Sequence, residues 1–183
     1  GLDFTDKQEG YDFYPQQTIQ PFALIDSLSR LGLAASTDLQ VTAMDLSPRV
    51  IQHLEAARMR AGSGTPYALV LPRNLDQPWT PALVKYWQGA GGRIGAETKG
   101  VALPPNAGRV AARSVLVRPP VVLSIHPRDI NIVVQRIEPL ADAERFDLIV
   151  ATNILIYYDV FEQSLAVANI AAMLRPGGVF LSN

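Results

Sequence analysis

Two near-continuous apolar runs late in the chain constrain the fold most: Ile130-Asn-Ile-Val-Val-Gln135 and Phe146-Asp-Leu-Ile-Val-Ala-Thr152. A strand with one wet face alternates apolar and polar residues, whereas a strand covered on both faces does not. Both runs therefore read as buried strands of a parallel sheet, whose strands must be joined by crossover connections. The residues that follow supply such a connection. Val160, Val167, Ile170 and Leu174 fall on one helical face, and Arg175-Pro-Gly-Gly178 ends it with a basic last turn and breakers. Val179-Phe-Leu181 starts a further strand.

The same alternation occupies residues 15–62. Leu24, Ile25, Leu28 and Leu31 form a helical stripe that begins near Pro21 and stops at Gly32. Leu39–Asp45 alternates and reads as a strand. Ser47-Pro48 then opens a helix bearing Val50, Ile51, Leu54 and Ala57, closed by Gly62-Ser-Gly64. Together these blocks predict a doubly wound, Rossmann-like α/β domain with a mostly parallel sheet.

Residues 64–129 break the pattern. They are proline-rich, with a short helix predicted at Pro81–Gln88 and a glycine cluster at Gly89–Gly95. Two strands, Arg109–Arg118 and Val121–Ile125, read as joined around Pro119-Pro120. Connections in α/β units usually take about two to six residues. This stretch is therefore read as a subdomain inserted between the second and third strands. The whole of 1–183 is taken as one domain, its core about 1–63 and 130–183. The chain does not begin with Met and stops within a strand, so it reads as a fragment of a longer protein.

Composition narrows the chemistry. There is no cysteine, which excludes disulfides, zinc–thiolate sites and cysteine nucleophiles. With only two histidines, His53 and His126, no multi-histidine metal site is expected. A net charge of −1 argues against a nucleic-acid surface. No run reaches the roughly 18 apolar residues of a membrane span. The N-terminus is too polar for a signal peptide, and the cytoplasm is the expected location.

Ligands of open α/β sheets bind beyond the carboxyl ends of the strands. Asp45 stands at such an end, in Val41-Thr-Ala-Met-Asp45-Leu-Ser-Pro. It has two uses: accepting hydroxyl protons from a ribose, or capping the helix that begins at Ser47. Asn153, Tyr157 and Tyr158 follow the Phe146 run, where they either border a site or pack. His126 is either a base at the lip of the insertion or a structural turn residue. His53 is expected to face solvent. Arg109, Arg113 and Arg118 either meet an anionic substrate or line a wet strand face. Trp79, Tyr86 and Trp87 either stack on a substrate or pack the insertion onto the sheet.

Val41 through Arg58 (VTAMDLSPRVIQHLEAAR) resembles the second strand and next helix of class I S-adenosylmethionine-dependent methyltransferases. Phe146 through Asn183 (FDLIVATNILIYYDVFEQSLAVANIAAMLRPGGVFLSN) resembles their fourth strand, following helix and fifth strand. Leu-Arg-Pro-Gly-Gly is the most specific part. The segment FDLIVATNILIYYD is also similar to the corresponding region of chemotaxis-receptor methyltransferases. These segments cover about a third of the chain.

The resemblance implies that Asp45 holds the ribose hydroxyls of S-adenosylmethionine and that Leu46 touches the adenine. It implies that Gln135, Arg136 and Ile137 line the adenine's other side, with Asn153 near the methionine part. Tyr157, Tyr158 and His126 are candidates to assist a nucleophile. The acceptor is unidentified, a small molecule being favoured, and oligomeric state is open.

Two departures from the family stand out. No glycine-rich loop is present, unless Gly1-Leu-Asp3-Phe is its last step, and Tyr11–Thr18 is longer and more aromatic than usual. Arg136 also stands where the family often has an acid, and an arginine accepts no hydrogen bond. Two rival readings follow: a degenerate cofactor-fold module that binds a partner without catalysis, and a nicotinamide-dependent oxidoreductase. The Leu-Arg-Pro-Gly-Gly turn and the lack of a Tyr-x-x-x-Lys pair argue against the latter.

Overall fold

A computed structural model describes residues 17–100 and 109–183. Gly1–Phe4, considered above as the last step of a glycine-rich loop, and the aromatic residues Tyr11–Tyr14 lie outside the described residues. The chain is mixed α/β and divides into two compact units, Gly1–Arg128 and Asp129–Asn183.

The first unit begins with α1 (Gln20–Arg30). The helix buries Phe22 and Ile25 completely, while Leu31 at its end is 72% exposed. The buried stripe thus lies one step round from the expected one. α1 ends where Gly32 takes φ +71°, with Leu33 N–H donating to the Leu28 carbonyl and Gly32 N–H to Ser29. Only glycine adopts that conformation without strain, and the two bonds satisfy carbonyls the helix leaves open. β1 (Val41–Asp45) leads into α2 (Pro48–Gly62), which buries Val50, Leu54, Ala57 and Ala61. Gly64, at φ +80°, closes α2 in the same way.

β2 (Tyr67–Asn74), β3 (Gly95–Thr98) and β4 (Val110–Val117) form an antiparallel sheet in the order β2-β4-β3, with α3 (Pro81–Gly89) between β2 and β3. Alternate residues Tyr67, Leu69, Leu71, Val115 and Val117 join Phe22, Ile25, Val50 and Leu54 in one buried cluster. Residues 64–129 therefore help to build this core. The side-chain amide of Gln17 mimics another strand: it donates to the Val70 carbonyl at 2.6 Å and accepts from Val70 N–H at 2.7 Å. Gly95 is required where β3 meets β4, since a Cβ there would stand 2.2 Å from the Leu116 carbonyl oxygen.

Val121 and Val122 lie in a short helix, α4 (Pro119–Leu123), and not in the strand expected at Val121–Ile125. Prolines 119 and 120 occupy helix positions whose N–H groups would have no intrahelical partner, so they favour the helix start. β5 (Ile125–Asp129) follows and pairs with β1.

The strand expected at Ile130–Gln135 is a turn. Asn131 makes it: its side chain accepts from Val133 N–H at 3.0 Å, and its carbonyl accepts from Val134 and Gln135 N–H. Asparagine competes in this way with strand pairing. The strand preceding the second unit is thus β5, five residues earlier.

The second unit is a β–α–β element: β6 (Phe146–Ala151), α5 (Val160–Met173) and β7 (Leu174–Ser182). β6 and β7 are parallel, with Leu148 opposite Val179, Ile149 opposite Phe180 and Val150 opposite Leu181. The Arg175–Gly178 turn is absorbed as a register shift at the start of β7, with Gly177 at φ +79°. Asp159 caps α5 by accepting from Glu162 N–H, and Glu162 returns the bond to Asp159 N–H. The buried face of α5 is Ala166, Ile170 and Met173, while Val160 is 79% and Val167 43% exposed. Both valines thus leave the apolar stripe expected for them. Among the described residues, no helix is long and apolar enough to cross a membrane.

Candidate functional site

In the first unit, Asp45 ends β1 half-buried and Oδ1 accepts the Ser47 N–H at 2.8 Å. This bond turns the chain from strand into helix. Ser47 itself makes no side-chain cap, so the helix-entry role considered for Asp45 is geometrically real. A carboxylate offers about four acceptor positions, and the Ser47 N–H takes one of them. Leu46, between strand and helix, is 51% exposed and presents an apolar side chain beside that carboxylate.

His126 lies on β5, half-buried, with Nε2 3.0 Å from Gln40 Oε1. Burial pushes its pKa below the ordinary histidine value, and the positive charges of Arg58 and Arg128 push the same way. A neutral ring donating from Nε2 to Gln40 fits both observations. His53 is not the solvent-facing residue expected. It is half-buried, its Nε2 lies 2.9 Å from the Tyr67 hydroxyl, and burial lowers its pKa.

In the second unit, Gln135 and Arg136 border a hollow of about 310 Å³ with Ile130, Val134, Glu138 and Asn169. Arg136 is paired there with Glu138, whose Oε2 lies 2.6 Å from Nη2 and 2.7 Å from Nε. A carboxylate therefore stands beside Arg136 and offers the acceptor atoms that an arginine side chain lacks. Gln135 is tied back through its Oε1 to Asn131 N–H at 2.8 Å. Ile137 does not line the hollow; it is half-buried, with its N–H against Met173 Sδ at 3.3 Å. Asn169 was not a sequence candidate. It lies on the helix face next to the buried Ile170 and donates to the carbonyls of Ile132 and Val133 at 2.8 and 3.1 Å.

Asn153 follows β6 with φ 55°, the only non-glycine residue at positive φ among those described. Its N–H donates to Asn183 Oδ1 at 2.7 Å, and its Oδ1 accepts from Asn183 Nδ2 at 2.9 Å. Tyr157 and Tyr158 come next, Tyr157 78% exposed and Tyr158 half-buried with its carbonyl accepting from Gln163.

The three arginines grouped by sequence have separate partners. Arg109 pairs with Asp76, Arg113 with Glu97, and Arg118 donates to Ser36 and to the Arg93 carbonyl. Tyr86 packs α3 on α1, with its hydroxyl 3.2 Å from Ser27 Oγ and its ring under Arg30. Trp87 donates from Nε1 to the Leu71 carbonyl at 3.1 Å.

Compared with known proteins, the chain matches no family model, and no curated sequence matches it.

Proposed function

We propose that this chain is the cofactor-binding part of a methyltransferase that uses S-adenosylmethionine. Strand pairing is the observation that carries the reading. In a doubly wound sheet of order 3-2-1-4-5-6, strands two and three are neighbours, and so are strands four and five. On the sequence resemblance β1 is strand two, β6 strand four and β7 strand five, and β5 is the next strand available as three. The observed pairs are β1 with β5 and β6 with β7. The parallel β6–α5–β7 element, with Leu-Arg-Pro-Gly-Gly forming the start of β7, supports the same reading and disfavours the nicotinamide alternative.

The sulfonium of the cofactor, when bound, supplies an electrophilic methyl group. The chain's residues bind and orient. Asp45, held by Ser47, accepts from ribose hydroxyls, and Leu46 offers apolar surface to the base. In the second unit, Glu138 beside Arg136 is the acceptor we propose for an exocyclic amino group, and Gln135 borders the same hollow. Asn153, fixed by Asn183, stands at the carboxyl end of β6, followed by the exposed phenol of Tyr157. Among Tyr157, Tyr158 and His126, we favour Tyr157 for contact with the acceptor, because its side chain is open. The acceptor we favour is a small molecule. The lack of cysteine suits a reducing compartment, and we assign the protein to the cytoplasm.

One observation favours the non-catalytic module: Asp45, Arg136 and Asn153 each already have a partner within the chain. Calorimetric titration with S-adenosylhomocysteine, with NAD as control, decides between the two. Selective binding that Asp45→Ala weakens supports the methyltransferase. Absence of selective binding overturns it in favour of the module.

A further inference from the structure

Arg73 is the residue of the antiparallel sheet whose chemistry neither the fold nor the proposed cofactor site uses. Directly opposed residues of an antiparallel pair share a face, as do alternate residues along a strand. Leu71 opposes Arg113 and Arg73 opposes Ala111, so Arg73 and Arg113 are diagonal neighbours on the core-facing side, where the apolar surface ends. Glu97 opposes Val115 and so lies on the same face, diagonal to Arg113. It is committed to Arg113, 3.1 Å from Nε, and the Arg113 guanidinium holds its carboxyl below the ordinary range.

Arg73 has no such counter-charge among the described residues. Its guanidinium carbon lies 5.4 Å from the Trp79 ring centre and 5.8 Å from that of Trp87, and Arg113 stands over Trp87 at 5.5 Å. Both Arg73 distances are within the range of cation–π attraction. The five N–H donors lie in the plane of the guanidinium, and contact with a ring face does not give them hydrogen-bond acceptors. Arg73 Nε is buried with no hydrogen-bond partner among the described residues.

We propose that Arg73 is the centre of an oxyanion-binding site, walled by Trp79 and Trp87, that takes a carboxylate or phosphate group in the plane of the guanidinium. Two parallel N–H···O bonds are the geometry this cation offers to such groups. The site is independent of the methyltransferase reading, since it shares no residue with Asp45 or the Gln135–Glu138 hollow.

Trp79 and Trp87 are the chain's only tryptophans, so emission excited selectively in tryptophan, beyond tyrosine absorption, reports on the indoles of this site. The test is titration with sodium phosphate, and separately with sodium acetate, at ionic strength held constant with sodium chloride. A saturable emission change supports the site, and the anion that saturates it distinguishes phosphate from carboxylate. Arg73→Gln should weaken the binding about tenfold or more. Arg60→Gln, which removes an equal charge from exposed α2, should leave it unchanged. A response equal to that of chloride, or one that survives in Arg73→Gln, overturns the proposal. Should Arg73→Gln fail to fold, the wild-type thermal midpoint decides: it rises saturably, over the same anion concentrations as the emission change, if the site exists, and rises only linearly, as surface exclusion of the salt requires, if it does not.

Discussion

Asn153 and Asn183 join the carboxyl ends of β6 and β7 by two reciprocal hydrogen bonds of 2.7 and 2.9 Å. The pair holds Asn153 at φ 55°, a conformation that asparagine tolerates and most residues do not. Replacing Asn153 separates the two effects. Asn153→Gly loses the side-chain bond but no longer opposes the left-handed backbone. Asn153→Ala loses the bond and adds about 1–2 kcal/mol of strain. Urea denaturation should rank them wild type, then Gly, then Ala. An alanine variant at least as stable as the glycine variant would refute the strain.

The two roles of Asp45 separate in the same manner. The side-chain amide oxygen introduced by Asp45→Asn would still accept the Ser47 N–H. This variant should therefore hold stability within about 0.5 kcal/mol, whereas Asp45→Ala should lose about 1 kcal/mol. Both substitutions remove the charge. Hydrogen bonds to a charged group contribute roughly 1.5–3 kcal/mol each, so both should weaken S-adenosylhomocysteine binding by about tenfold to a few hundredfold. Full affinity in a folded Asp45→Asn would restrict Asp45 to helix entry.

Asp26 is 1% exposed, forms an ion pair with Arg30 and accepts the Arg93 N–H at 2.9 Å. It ties α1 to the turn before β3. Asp26→Ala orphans that buried-side N–H and strips Arg30 of its carboxylate. The variant should lose about 2–3 kcal/mol, a loss read as a lower urea midpoint at unchanged slope. A loss under about 0.5 kcal/mol would mean that water replaces the carboxylate at both sites.

His53 and His126 both have pKa values lowered by burial, His126 with help from Arg58 and Arg128. The unfolded chain then binds more protons than the folded one just below the ordinary histidine value of about 6.5. Their contribution to stability is intact above that pH and declines as pH falls through it, levelling off below the folded pKa values. Denaturation at about pH 7.5 and about pH 5.5 should reveal the decline before the carboxylates titrate. His53→Gln should flatten it by removing one of the two groups, and an unchanged slope would exclude His53 as a contributor.

Local signals carried much of the secondary structure. Pro21, Pro48 and Pro81 mark helix starts, Gly32 and Gly64 mark stops, and the runs at Val41 and Phe146 are strands. These are properties of one or a few residues, restricted φ or β-branched bulk, and a linear reading captures them. Ile130–Gln135 defeated that reading because its apolar composition fits a strand while Asn131 bonds to its own neighbours. Val160 and Val167 defeated it because several faces of α5 are apolar, and only packing selects the face of Ala166, Ile170 and Met173.

For the candidate site, Asp45 and Asn153 stood out in the sequence because polar groups at the ends of apolar runs contrast with their surroundings, whereas Arg136 was singled out only through the family resemblance. Their partners Glu138 and Asn183 were not legible, nor was Arg73, one arginine among many. Sequence determined where strands and helices begin and which residues bear chemistry. Tertiary structure decided which charges are compensated: Arg113 by Glu97, Arg136 by Glu138, and Arg73 by indole faces alone among the described residues. Compensation depends on distances of a few ångströms between side chains, and for Arg113 and Arg73 those distances exist only once β2, β3, β4 and α3 have packed.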